Sequence, residues 1–266
     1  MSATTSSDLL DARFAALAAK GRSALVVYVT AGHPDPARSI ELMQAAEASG
    51  ADVLEVGVPF SDPMADGPVI QESSRVALQH GITFDRSLVM ISEARLTIPV
   101  VLFSYLNPVL SAGPDAMVRA AAAGAHGLLL TDLPVGADPP LEARFAAGPL
   151  AFVRLVAPTT PAARMADISR HGSGFVYLIS RLGVTGASER LSAELPRTID
   201  RLRKAARLPI CVGFGISTPS QAREVAALAD GVVVGSAVVR AAGTSVDAAA
   251  TLIASLREAI DHGAHA

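Results

Sequence analysis

LEVGVPFSDPMADGPVIQ, residues 54–71, begins as an apolar strand and turns into a loop broken in quick succession by aspartate, proline and glycine. Strand alternation places Val53, Glu55 and Gly57 on one face and Leu54, Val56 and Val58 on the other. The wholly apolar face belongs against helices, so Glu55 points to the opposite, inner side, with Gly57 leaving space beside it. A carboxylate held there requires a raised pKa, a buried partner or a ligand. Arg154, in FVRLVAP at 152–158, is the one obvious strand cation that could pair with it.

Outward from this strand the chain repeats the same form without repeating its sequence. The runs ALVVYVTAG, VLEVGVP, PVVLFSY, GLLLTD, FVRLVAP, FVYLIS, PICVGF and GVVVGS read as eight strands. Helical patterns lie between them: DPARSIELMQAAEASG, PDAMVRAAAAG, TPAARMADISRHG, SAELPRTIDRLRKAA and TPSQAREVAALA, with SVDAAATLIASLREAI near the end. Fainter ones follow strand two (PVIQESSRVALQH) and strand four (PPLEARFAA). Several begin with Thr-Pro or Asp-Pro and end at glycine. Nearly continuous apolar strands, each followed by a helix, predict a parallel sheet covered by helices. Eight such units in 266 residues favour a closed (β/α)8 TIM barrel over an open sheet. No linker divides the chain, which predicts a single domain over 1–266, opened by a helical segment at 1–20.

The bulk composition narrows the chemistry. Half the residues are apolar and 18% are charged, enough for a large core, and a net charge of −3 gives no footprint for nucleic acid. No apolar run approaches the length of a membrane span, and Asp8, Asp11 and Arg13 stand where a signal peptide needs an apolar stretch. Together with the single cysteine, Cys211, this reads as a cytoplasmic protein, with Cys211 a small buried hydrophobe. The only lysines, Lys20 and Lys204, miss the strand ends, so a Schiff base has no nucleophile. The histidines are scattered and predict no metal site.

In such barrels the site is built from strand ends and the loops that follow. Those positions hold Thr30, Glu55, the loop with Asp62 and Asp66, Asn107, Asp132, SRLGVTG at 180–186, GFGIS at 213–217 and GSA at 235–237. Asp66 reads equally as a catalytic carboxylate or as a turn or cap residue, and Asp62, before Pro63, as a turn former. Gly213, Gly215, Gly235 and Ser236 stand where backbone amides can approach a ligand, and SAVVRAA at 236–242 reads as a short extra helix. This is the common phosphate cradle of loops seven and eight, although each glycine alone could serve only a tight turn. The loop SRLGVTGASERLSAELP, with Gly183 and Gly186 as hinges, is either a lid or an ordinary connector.

With those residues in place the chain resembles the alpha subunit of tryptophan synthase. LEVGVPFSDPMADG is the most specific marker, supported by YVTAGHPD, APTTP, YLISRLGVTG, GFGIS and GSAVV. The resemblance implies cleavage of indole-3-glycerol phosphate to indole and glyceraldehyde 3-phosphate, with no cofactor in this chain. It implies that Glu55 is the principal acid/base carboxylate and Asp66 the second, with Tyr177 a third catalytic residue near the indole, Tyr28 and Phe103 along an apolar wall, and Thr185 on the lid. Gly186, Gly215, Gly235 and Ser236 would bind phosphate, while Asp62, Asn107 and Asp132 stand toward a partner. The partner that the resemblance implies is a beta subunit carrying pyridoxal phosphate, in an alpha2beta2 heterotetramer. His33, where the family often has aspartate, and the form FSYLNP are departures from its pattern. A stand-alone indole-glycerol phosphate lyase and a non-catalytic phosphate-binding barrel are the alternatives.

Overall fold

The computed structural model describes residues 6–180, 192–213 and 215–263. Eight strands, β1 (Ala24–Thr30), β2 (Val53–Gly57), β3 (Val100–Ser104), β4 (Gly127–Leu130), β5 (Ala151–Val156), β6 (Val176–Ile179), β7 (Ile210–Gly213) and β8 (Gly231–Val234), close in sequence order into a barrel. Every neighbouring pair is parallel, with Tyr28 beside Glu55 across β1 and β2 and Tyr177 beside Cys211 across β6 and β7. The expected (β/α)8 barrel is therefore what the chain forms.

Around it run α1 (Ser6–Ala18), α2 (Pro36–Ala48), α3 (Pro68–Gln79), α4 (Phe84–Ala94), α5 (Leu106–Ser111), α6 (Ala116–Ala122), α7 (Pro139–Ala146), α8 (Ala162–Arg170), α9 (Leu195–Ala205), α10 (Pro219–Ala226), α11 (Ser236–Ala242) and α12 (Val246–Gly263). Local chemistry sets their starts. Asp35 accepts a hydrogen bond from the Arg38 amide and is followed by Pro36, while Thr218 and Gln221 form a reciprocal capping box before α10.

The two faces of each strand bury different cores. Outward residues such as Leu54, Val56, Leu102, Leu128 and Val234 pack with the helices. Inward residues form a second cluster with Val53, Val101, Leu129 and Val233 in the lumen. Helix α1 contributes Leu10, Phe14 and Leu17 to that lumenal cluster, and Phe14 lies against Phe175 with ring centroids 5.5 Å apart. Burying each such side chain stabilises the fold by roughly 1.5–3 kcal/mol, so α1 belongs to the barrel core.

The segment between β2 and β3 departs from expectation. It holds two helices, whereas the sequence pattern gave one. Helix α4 supplies Phe84, Leu88, Met90 and Ile91 to the outer core, the place of the regular barrel helix. That releases α3 to turn toward the mouth, where Ile70 joins the lumenal cluster and Ser73 reaches Thr30. Helix α5, also unexpected, tolerates Pro108 because its first-turn amides need no intrahelical acceptor.

Arg154 has a partner other than Glu55. It lies on the outer side of β5, donates to Glu142 Oε2 of α7 at 2.9 Å and to the carbonyls of Leu133 and His171, and stacks over Phe152. Glu142 also accepts the Gly136 amide at 2.7 Å. Both members of this pair are buried, so removing one leaves the other charged and dry. Arg154→Met is expected to cost about 3–5 kcal/mol of stability in urea unfolding; a loss below about 1 kcal/mol would mean that water reaches Glu142.

Candidate active site

Glu55 stands in the middle of β2 with its side chain in the lumen, 1% exposed, and neither carboxyl oxygen has a hydrogen-bond partner among the described residues. Desolvation alone pushes its pKa from 4.5 up to about 8. The inward orientation expected from alternation is the observed one, and with Arg154 engaged elsewhere the choice narrows to a raised pKa and a ligand. An acid that is protonated at neutral pH yet close to titrating is suited to giving and retaking a proton.

Asp66 lies in the loop above, 7% exposed. It is not the cap of α3: that position is Gly67, which makes no side-chain cap bond. Burial raises the Asp66 pKa to about 6, opposed by a hydrogen bond from the Tyr105 hydroxyl. The same hydroxyl accepts the Ala65 amide at 2.9 Å, and its ring packs against Phe60 with centroids 5.2 Å apart. Tyr105 thus holds the loop and the carboxylate together. Its role was not read from the sequence, although a polar-tipped aromatic just past a barrel strand was the available signal.

Tyr28, Phe103 and Tyr177 line the lumen with Glu55. Tyr28 meets Phe103 edge to face, with centroids 5.2 Å apart and planes at 81°. Burial pushes both tyrosine hydroxyls well above their usual pKa, and each also feels the negative charge of Glu55 and of Asp66. The four groups form one electrostatic unit. Two glycines make room for it: a Cβ on Gly57 would overlap the Tyr28 hydroxyl, and one on Gly213 the Tyr177 hydroxyl. Gly213, expected at a phosphate, thus has a packing duty of its own. Cys211 is fully buried beneath, its thiol pKa raised chiefly by burial.

The remaining expected positions divide into three sets. Gly215 (φ 93°) and the pair Gly235 and Ser236 stand past β7 and β8, and Ser236 begins the anticipated short helix α11. Thr185 and Gly186, with Gly183, lie outside the described residues. Asp62, Asn107 and Asp132 are exposed; Asp132 accepts the Leu106 amide at 2.7 Å at the start of α5, and the Asp62 carbonyl accepts the Met64 amide. Among the described residues no three His, Cys, Asp or Glu side chains group as metal donors.

A buried carboxyl in a lumen walled by aromatic side chains, with a second, more acidic one in the loop above, is an arrangement that could carry acid/base chemistry on an aromatic molecule. Known proteins carry the same arrangement of chain. A family model described as tryptophan synthase alpha chain matches residues 14–265. The tryptophan synthase alpha chain of Laribacter hongkongensis is 46% identical over 260 residues, covering 95% of this chain and 98% of that one. The one from Caulobacter vibrioides (strain NA1000 / CB15N) is 45% identical over 236 residues, covering 87% and 86%. Among solved structures, tryptophan synthase subunit alpha from Legionella pneumophila aligns with a TM-score of 0.87 at 37% identity, covering 98% of this chain and 100% of that one. A Mycobacterium tuberculosis tryptophan synthase structure gives 0.87 at 35% identity, covering 94% and 97%. Sequence, fold and lumen agree: this chain belongs to the tryptophan synthase alpha chain family.

Proposed function

We propose that this chain, as the alpha subunit of tryptophan synthase, cleaves indole-3-glycerol phosphate to indole and glyceraldehyde 3-phosphate by the acid/base action of Glu55 and Asp66. The observation that carries this reading is the buried Glu55 carboxyl with no hydrogen-bond partner among the described residues. The bond to indole C3 breaks only after that carbon takes a proton and the adjacent side-chain hydroxyl loses one. Protonated Glu55 gives its proton to C3, which makes the ring nitrogen cationic. Ionised Asp66 stabilises that charge at the ring N–H. Glu55, now a carboxylate, takes the hydroxyl proton as the carbon–carbon bond breaks; its electrons return to the ring and the oxygen becomes the aldehyde. Glu55 ends protonated, as it began, so no metal, Schiff base or cofactor of this chain enters the cycle.

Tyr28, Phe103 and Tyr177 would hold the indole, and the backbone of Gly213, Gly215, Gly235 and Ser236 the phosphate. A beta subunit with its own pyridoxal phosphate, in an alpha2beta2 tetramer, would take the indole. The exposed apolar side chains of Met64 and Leu110, close in sequence to Asp62 and Asn107, support a covered face there. The reading places a single-domain enzyme in the cytoplasm; no helix among the described residues is long and apolar enough to cross a membrane.

Release of indole from indole-3-glycerol phosphate, followed spectrophotometrically with and without a beta subunit, tests the reading directly; no release under either condition would sink it. The free-enzyme kcat/KM is expected to follow a bell in pH. Its acid limb lies near about 6, where Asp66 takes up a proton, and its alkaline limb near about 8, where Glu55 loses the one it must deliver. A profile flat from pH 5 to 9 would contradict that assignment. Glu55→Gln should lower turnover at least ~100-fold in a folded protein. Asp66→Asn should keep the affinity for a substrate-like inhibitor while losing rate, and weaker inhibitor binding in step with the rate would instead make Asp66 a binding residue.

A further inference from the structure

Three hydroxyls run in a row along the mouth of the barrel. Thr30 Oγ1 lies 3.3 Å from the Tyr28 hydroxyl and 2.7 Å from Ser73 Oγ, and Ser73 Oγ lies 2.8 Å from the Ile70 carbonyl. All three side chains are buried. Each hydroxyl has one proton, and Thr30 is the donor to the Tyr28 oxygen. Ser73 donates to the Ile70 carbonyl, and it can instead turn its proton to Thr30. With Ser73 giving to Thr30 and Thr30 to Tyr28, the Tyr28 proton is free for an acceptor in the site. That arrangement orphans nothing, because Ile70 lies within α3 and its carbonyl keeps the helical hydrogen bond.

Position says which acceptor. The Tyr28 Cβ packs on Gly235, where a Cβ would stand 3.4 Å away, while its hydroxyl rests over Gly57, two residues beyond Glu55 on β2. The side chain spans from the phosphate side of the site to the carboxyl side. A substrate anchored by phosphate at one end and presenting indole C3 to Glu55 at the other must run its oxygenated three-carbon chain through that interval. Indole itself offers an N–H donor and no comparable oxygen acceptor.

We propose that the Tyr28 hydroxyl donates a hydrogen bond to an oxygen of the substrate's glycerol chain, with Thr30 and Ser73 as positioning residues that occupy its oxygen and leave its proton free for the substrate. The assignment rests on the proposed lyase reaction. It changes Tyr28 from a wall of the indole pocket into the group that distinguishes the glycerol phosphate substrate from free indole. No bond is made or broken by it: Tyr28 keeps its proton through the reaction.

The test compares Tyr28→Phe, Thr30→Val and Thr30→Ser by steady-state cleavage and by inhibition with two probes, indole and glycerol 3-phosphate. Loss of one neutral hydrogen bond should lower kcat/KM about 5- to 10-fold in Tyr28→Phe. Glycerol 3-phosphate should inhibit that variant correspondingly less, and indole within about twofold of its wild-type potency. Thr30→Val should move the same readouts in the same direction, the double variant should be no worse than Tyr28→Phe, and Thr30→Ser should restore them. Unchanged kcat/KM in Tyr28→Phe, or equal weakening of both probes, would overturn the proposal. Absence of indole release by the wild-type chain would refute the lyase reading, a separate and distinguishable result.

Discussion

The structure depends on one unfavourable placement, the Glu55 carboxyl buried in the lumen with no hydrogen-bond partner among the described residues. Moving such a group out of water disfavours its charged form, and the fold answers by keeping it protonated near neutrality. The alternative answer was present in the chain. Arg154 is also a strand residue, but it sits one face away, on the helical side of β5, where Glu142 neutralises it. Two buried carboxylates of the same residue type thus meet opposite fates. Glu142 is paired with Arg154, while Glu55 has no partner among the described residues and is the carboxyl that the proposed reaction employs.

Closing the barrel creates the apolar space in which that placement matters. Leu10, Phe14 and Leu17 of α1 fill the lumen together with the strand residues, and Tyr28, Phe103 and Tyr177 surround the carboxyl. The tyrosines fit because Gly57 and Gly213 have no side chains where the hydroxyls lie. Aromatic bulk on one strand and its absence on the next are therefore one design. A second carboxylate, Asp66, is held in a different environment by Tyr105, so the two acids titrate about two pH units apart and can take opposite roles at one pH.

Much of this was legible in the sequence. The eight strands were read as the barrel forms them, because parallel strands buried on both faces are nearly continuous in apolar residues. Glu55 was placed on the lumenal face by alternation alone, since a strand has no third side. Helix α4 was not read, even though Thr83 caps it and Phe84, Leu88 and Ile91 carry a helical spacing. One helix per strand was the expectation, and α3 had already filled the place. Tyr105 and Ser73 went unread for a different reason: what matters in each is a contact across the mouth, to Asp66 and to Thr30, from elements far apart in sequence.

The amino-acid sequence by itself determined the period of the strands, the helix starts, and the face on which each side chain would stand, because all of these follow from local geometry that repeats every two or 3.6 residues. Tertiary structure alone decided which charges met. Arg154 went to Glu142, Asp66 to Tyr105, and Glu55 to no group among the described residues. Those outcomes are set by the closure of the barrel and the tilt of its loops, which bring together residues that no local spacing relates. The low-dielectric interior then turns each meeting, or its absence, into a shift in proton affinity.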